Sequence, residues 1–120
     1  MLIYEVNIEV DESINYKVAG WLTEHINKML EHKGFKAAQW FFRLPEDEER
    51  QPDGKTLWTI QYLVEDKEKL QDYLQNHSQK VRQEAIDRFG DKFTATRRVL
   101  NLLSVSGSPF DQAEEASLQK

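Results

Sequence analysis

Two stretches of this chain set a histidine at the same place in the same pattern. "WLTEHINKM", residues 21–29, returns fifty-two residues later as "YLQNHSQKV", residues 73–81. Each reads aromatic, Leu, two polar residues, His, and then a Lys and an apolar residue in step. An imidazole titrates near neutrality, so His25 and His77 are the candidate catalytic residues, able to relay a proton or hold a polar ligand group. The competing reading is structural: each ring is buried and hydrogen-bonded to a backbone carbonyl or a nearby Tyr, and an inherited duplication explains the twinning. A zinc site wants three or four converging ligands, and no HxxxH or HxxE spacing supplies them, so no metal is expected. The chain has no cysteine, which removes thiolate ligands, disulfides and a Cys nucleophile.

Around these histidines stand aromatic residues suited to the wall of a dry pocket: Tyr4, Trp21, Trp58, Tyr62 and Tyr73, with Trp40 and Phe42 as further candidates. Arg97 and Arg98 are adjacent on one extended stretch, so they point to opposite faces. Arg97 is taken as the cation of the candidate ligand site. The expected function is a module that binds a small hydrophobic molecule or a protein partner, with a cofactor-independent monooxygenase acting on a small hydrophobic or aromatic substrate as the alternative. Aromatics at alternating positions also make plain core, and either Arg could simply pair with Glu5 or Glu9. Nucleophilic triads, phosphate loops and dinucleotide glycines are not visible, and no cofactor is expected.

The elements that must carry these groups follow from periodicity. Residues 2–10 alternate, with Leu2, Tyr4, Val6, Ile8 and Val10 on one face and Glu5, Asn7 and Glu9 on the other. Asp11 or Ser13 can cap a helix over 14–33, and Gly34 can end it in a left-handed conformation. Residues 35–44 predict a strand, 45–55 a solvated loop with an Asp53-Gly54 turn, and 56–64 a third alternating strand. Asp66 caps a second helix running to residue 89, with His77 in the middle of its apolar stripe. Residues 92–103 form the last strand. The domain then spans 1–103, and 104–120 reads as a flexible tail.

The order is β-α-β-β-α-β, and the fifty-two-residue shift lays strand over strand as well as helix over helix. That predicts an α+β fold: a ferredoxin-like sandwich with a four-stranded antiparallel sheet, both helices on one face, and strands one and three central. Strand two cannot be polar on both sides. Phe35, Ala37 and Phe41 alternate with Ala38, Trp40 and Phe42, so bulky aromatics must leave the core. Exposed aromatics beside polar strands mark an interface, here expected to be a homodimer through the sheet.

Hydrophobic residues at 39% and charged residues at 31% describe one globular domain rather than a disordered chain. The net charge of −5 argues against nucleic acid and against anionic membranes. RNA-recognition motifs share the element order, but here strands one and three turn Glu5, Asn7, Glu9, Thr59 and Gln61 outward where bases would stack. No apolar run is long enough to span a bilayer, so a cytoplasmic location is expected.

The stretches "WLTEHINKMLEHKGF" and "YLQNHSQKVRQEAIDRFGDKFTATRRVL" resemble an uncharacterised bacterial family, a domain of unknown function (DUF4286), which sits with the dimeric α/β barrels. The likeness runs over roughly residues 2–103. It implies a ferredoxin-like protomer and a sheet-to-sheet dimer, and brings no activity of its own. The wider superfamily includes antibiotic-biosynthesis monooxygenases, haem-degrading monooxygenases and stress-responsive barrel proteins. The haem-degrading branch combines an Asn on strand one, a Trp on strand three and a His on the second helix. Asn7, Trp58 and His77 stand on those elements, although alternation sends Asn7 and Trp58 to opposite faces.

Overall fold

In the computed structural model, which describes residues 1–107, four strands make one antiparallel sheet. They are β1 (Leu2–Asp11), β2 (Phe35–Arg43), β3 (Lys55–Val64) and β4 (Phe93–Asn101), in the order β2-β3-β1-β4. The first and third strands are central, as expected from the β-α-β-β-α-β order. Helices α1 (Asn15–Met29), α2 (Lys67–Asn76) and α3 (Ser78–Phe89) complete an α+β fold with an open sheet. Leu2, Tyr4, Ile8, Val10, Trp58, Ile60, Tyr62 and Val64 form one core cluster with Val18, Leu22 and Met29 of α1 and Leu70 and Tyr73 of α2. The even-numbered side of both central strands is therefore the helix side.

The entry to each helix is set locally. The Asp11 carboxylate accepts from the Ser13 backbone N–H at 3.0 Å in a short 3-10 turn that leads into α1. The Asp66 carboxylate accepts from the Lys69 backbone N–H at 2.9 Å at the start of α2. Gly34, at φ +90°, turns the chain from α1 into β2, and a Cβ there would meet Lys69 side-chain carbons at 2.3 and 2.8 Å. α1 itself ends at Met29, short of the expected residue 33.

Two features depart from the periodic reading. The second helix is broken: α2 ends and α3 begins at His77, whose backbone sits at φ −131°, ψ −33°. The Ser78 hydroxyl donates to the Leu74 carbonyl at 2.7 Å, a back-bond that bends helices. At the bend Ser78 takes the inward place and is buried while His77 is exposed, and Val81 and Ala85 beyond it still face inward. The expectation of an inward-turned His77 is thus corrected. In β2 the register slips between Phe35 and Ala37, leaving Lys36 as an extra residue. The bulge puts Phe35 on the helix side together with Ala38, Trp40 and Phe42, opposite Val64, Tyr62, Ile60 and Trp58 in turn.

The other side of the sheet is ordered in rows. Ala37, Leu63, Ile3 and Leu100 make an apolar row at one end, followed by Gln39, Gln61, Glu5 and Arg98. The next row is Phe41, Thr59, Asn7 and Thr96, and the last is Arg43, Leu57, Glu9 and Thr94. The loop from 44 to 54 is tied back to this face rather than freely solvated. Arg50 pairs with Glu9 at 2.6 Å and Asp53 at 2.9 Å, and Arg43 pairs with Glu48 at 3.0 Å. Leu57, though on the open face, is only 1% exposed. Of the tail expected from Ser104, residues 108–120 lie outside the described residues.

Candidate functional site

Six of the eight candidate residues meet at one small cavity. Tyr4 from β1, Tyr62 from β3, Arg97 from β4, Trp21 and His25 from α1, and Tyr73 from α2 all line it between helices and sheet. Its volume is about 40 Å³, room for very few waters and far below the several hundred Å³ of a substrate pocket. His77 and Trp58 are not part of it. Trp58 is buried in the core with its ring edge-on to Trp40 at 5.2 Å. His77 packs instead against His32, centroids 4.6 Å apart, and against Tyr73 at 6.3 Å.

Trp21 and His25 lie one helical turn apart, so their rings are neighbours on α1. They stack at 5.0 Å with only 2° between their planes. The indole N–H donates to Glu84 on α3 at 3.2 Å, and Phe89 and Phe93 stand edge-on to the indole. On the outer side of this stack runs a groove between α1 and α3 of about 570 Å³, bordered by Tyr16, Lys17, Gly20, Lys28 and Arg88. Trp21 and His25 line both spaces. The stack therefore stands between the groove and the smaller cavity. The groove was not legible in the sequence, because it depends on where α3 falls after the bend at His77.

Burial keeps the imidazole and the two buried phenols of the cavity uncharged, beside the guanidinium of Arg97. Burial pushes the His25 imidazole down to about 4, with Glu84 opposing the shift and Lys28, His32 and Arg97 adding to it. Near neutrality the ring is uncharged and a weak proton acceptor, ill suited to general-base work. Burial raises the Tyr62 hydroxyl, and it raises Tyr73 to about 12 with help from Tyr4 and against the pull of Arg97 and Arg82. Arg97 lies opposite Val6, on the helix side, half-buried. It takes part in no ion pair among the described residues.

Arg98 faces the other way and completes a polar cluster on the open face. It ion-pairs with Glu5, which is 3% exposed. Gln61 donates to Glu5 at 2.8 Å and Asn7 at 3.0 Å, and the Thr59 hydroxyl donates to Asn7 at 2.6 Å. Burial would raise the Glu5 carboxyl, but the hydrogen bonds from Arg98, Gln61 and Asn7 outweigh it and hold the group at about 2. Asn7 and Trp58 lie on opposite faces and His77 is exposed, so the haem-degrading trio does not converge. No group of three or more His, Cys, Asp or Glu residues is placed to hold a metal ion, and no helix is long and apolar enough to cross a membrane, among the described residues.

A small α+β protein with its helices over one side of an open antiparallel sheet is the class these observations define. The model of a domain of unknown function (DUF4286) matches residues 1–103, and the chain belongs to that family. No curated protein matches it. Among solved structures it is similar to "De novo designed protein Foldit4", at 13% identity and a TM-score of 0.52, over 85% of this chain and 98% of that one. A likeness at that identity concerns the fold alone.

Proposed function

We propose that this domain is a cytoplasmic binding module rather than a catalyst. Its protomer is ferredoxin-like, of the dimeric α/β-barrel kind, spans 1–103 with 104–120 as a tail, and pairs with a second copy through its sheet. The ligand is a small hydrophobic molecule that enters from the groove between α1 and α3 and turns a polar or anionic end toward Arg97. The observation that carries this reading is the Trp21–His25 stack, which parts a 570 Å³ groove from a cavity lined by Tyr4, Tyr62, Tyr73 and Arg97. A turn of two side chains would join the spaces, and rotamer changes of this kind are common on binding. A cofactor-independent monooxygenase is the alternative, and the uncharged His25, a weak proton acceptor, speaks against it.

Naphthalene-1-carboxylate is a suitable probe, being flat, apolar and singly anionic. Three tryptophans give three indole N–H resonances, and Trp21→Phe identifies that of Trp21. Titration should shift the Trp21 signal saturably while Trp40 and Trp58 move little, and Arg97→Gln should weaken the effect. Three signals that stay put to millimolar concentration would exclude the site.

A further inference from the structure

The two outer strands of the sheet carry their charges in different places, β4 in its middle and β2 only near its ends. β4 carries Lys92 just before it and Arg97 and Arg98 within it. β2 has no charge between Lys36 and Arg43, no proline, and the run "AAQWFF" along an edge. Its helix-side aromatics are not covered: Trp40 is 36% and Phe42 65% exposed, and Leu44 just beyond is 38% exposed. Exposed strand edges of this kind pair with another strand unless charge, proline or a covering element prevents it.

We infer that the β2 edge is where a second copy of this chain adds, antiparallel, about a two-fold axis at Gln39. This rests on the homodimer reading above and names the surface that forms it. The pattern of β2 is self-complementary about that centre. Gln39 then faces its own copy, Ala38 faces Trp40, and Ala37 faces Phe41, each pair on a common side of the sheet. Small thus meets large twice on each side of the axis. Residues directly opposite have Cβ atoms about 5 Å apart, close enough that an aromatic needs a small neighbour to lie flat over the seam. A two-fold interface must be complementary to itself in this way. A second copy also covers the exposed Trp40, while the bulge at Lys36, opposite Phe42 of the other copy, closes the paired run at both ends. The two four-stranded sheets become continuous, and all helices lie on one side of the joined layer.

The absence of cysteine makes the test simple. In Gln39→Cys the two thiols meet at the axis, with Cα atoms about 4.5–5.5 Å apart, inside the range a disulfide spans. Mild oxidation should convert this variant to a covalent dimer on a non-reducing gel, while Thr96→Cys, on β4, stays monomeric. Gln39→Lys places two ammonium groups opposite each other without touching the core, and should raise the dimer dissociation constant about fivefold in sedimentation experiments. A wild-type dimer in which the Gln39→Cys variant does not cross-link and Gln39→Lys changes nothing overturns the edge pairing and leaves a homodimer through another surface. Cross-linking of Thr96→Cys alone would place that surface on the β4 side. A wild-type chain that sediments at 14.2 kDa at about 100 μM, where a dimer of micromolar affinity is mostly formed, overturns both readings.

Discussion

The Glu5 cluster makes the fold sensitive to acid by a calculable amount. The carboxyl titrates at about 2 in the folded chain against an ordinary 4.5, a difference worth about 3 kcal/mol. Because the folded value is the lower one, the stabilisation is complete above pH 4.5. It declines as pH falls from 4.5 toward 2, and is gone below that. Glu5→Gln keeps the shape and removes the charge. Arg98, whose side chain is 64% exposed, returns to water, so no charge is stranded by the change. Urea unfolding at pH 7 should show the variant destabilised by about 2–3 kcal/mol, a midpoint lower by about 1 M or more with the slope unchanged. At pH 2 the two proteins should coincide. Both must be measured at one protein concentration, since dimer formation would add to stability. A difference below about 1 kcal/mol at pH 7, or the same difference retained at pH 2, would refute the assignment of Glu5 as a satisfied, buried carboxylate.

Three further outcomes follow from single sites. His25 titrates at about 4 against an ordinary 6.5, so wild type should lose about 2 kcal/mol on acidification from pH 6.5 to 4 that His25→Phe, which keeps the stack, does not lose, as read by unfolding across that range. His77→Ala removes an exposed side chain at the helix junction and should change the unfolding free energy by less than about 0.5 kcal/mol, with no effect on ligand-induced shifts at Trp21. Gly34→Ala should destabilise by about 2 kcal/mol or more, because φ is +90° and Lys69 carbons occupy the space, whereas Gly20→Ala, with nothing within 4 Å, should stabilise α1 by about 0.5–1 kcal/mol; thermal melts distinguish the pair.

Periodicity carries far where side chains obey one rule along a whole element. The alternation of Tyr4, Val6, Ile8 and Trp58, Ile60, Tyr62 is enough to put Glu5 and Asn7 on the far side of the sheet, while the central place of β1 and β3 follows from the order of elements. Periodicity also gathers Tyr4, Trp21, His25, Tyr62 and Tyr73 around one space, whereas which of Arg97 and Arg98 joins them is settled only by the register of β4 on β1. The failures are local exceptions that a period conceals. Ser78 looks like any polar residue on a helix, yet its hydroxyl back-bond to Leu74 bends the chain and turns His77 out. Lys36 gives no sign that it is an extra residue, so alternation alone groups Phe35 with Ala37 and Phe41. The burial of Glu5 needs β4, β1 and β3 in register at once, which sets Arg98 and Gln61 on either side of it. Neither of those neighbours is near it in the chain.

The most direct measurement is a crystal structure of the protein grown with saturating naphthalene-1-carboxylate. The probe should lie between α1, α3 and the sheet, its carboxylate toward Arg97, with the Trp21 and His25 rings parted. Clear density for a closed stack, an unoccupied cavity and the probe bound elsewhere or not at all would contradict the reading of this space as a ligand site.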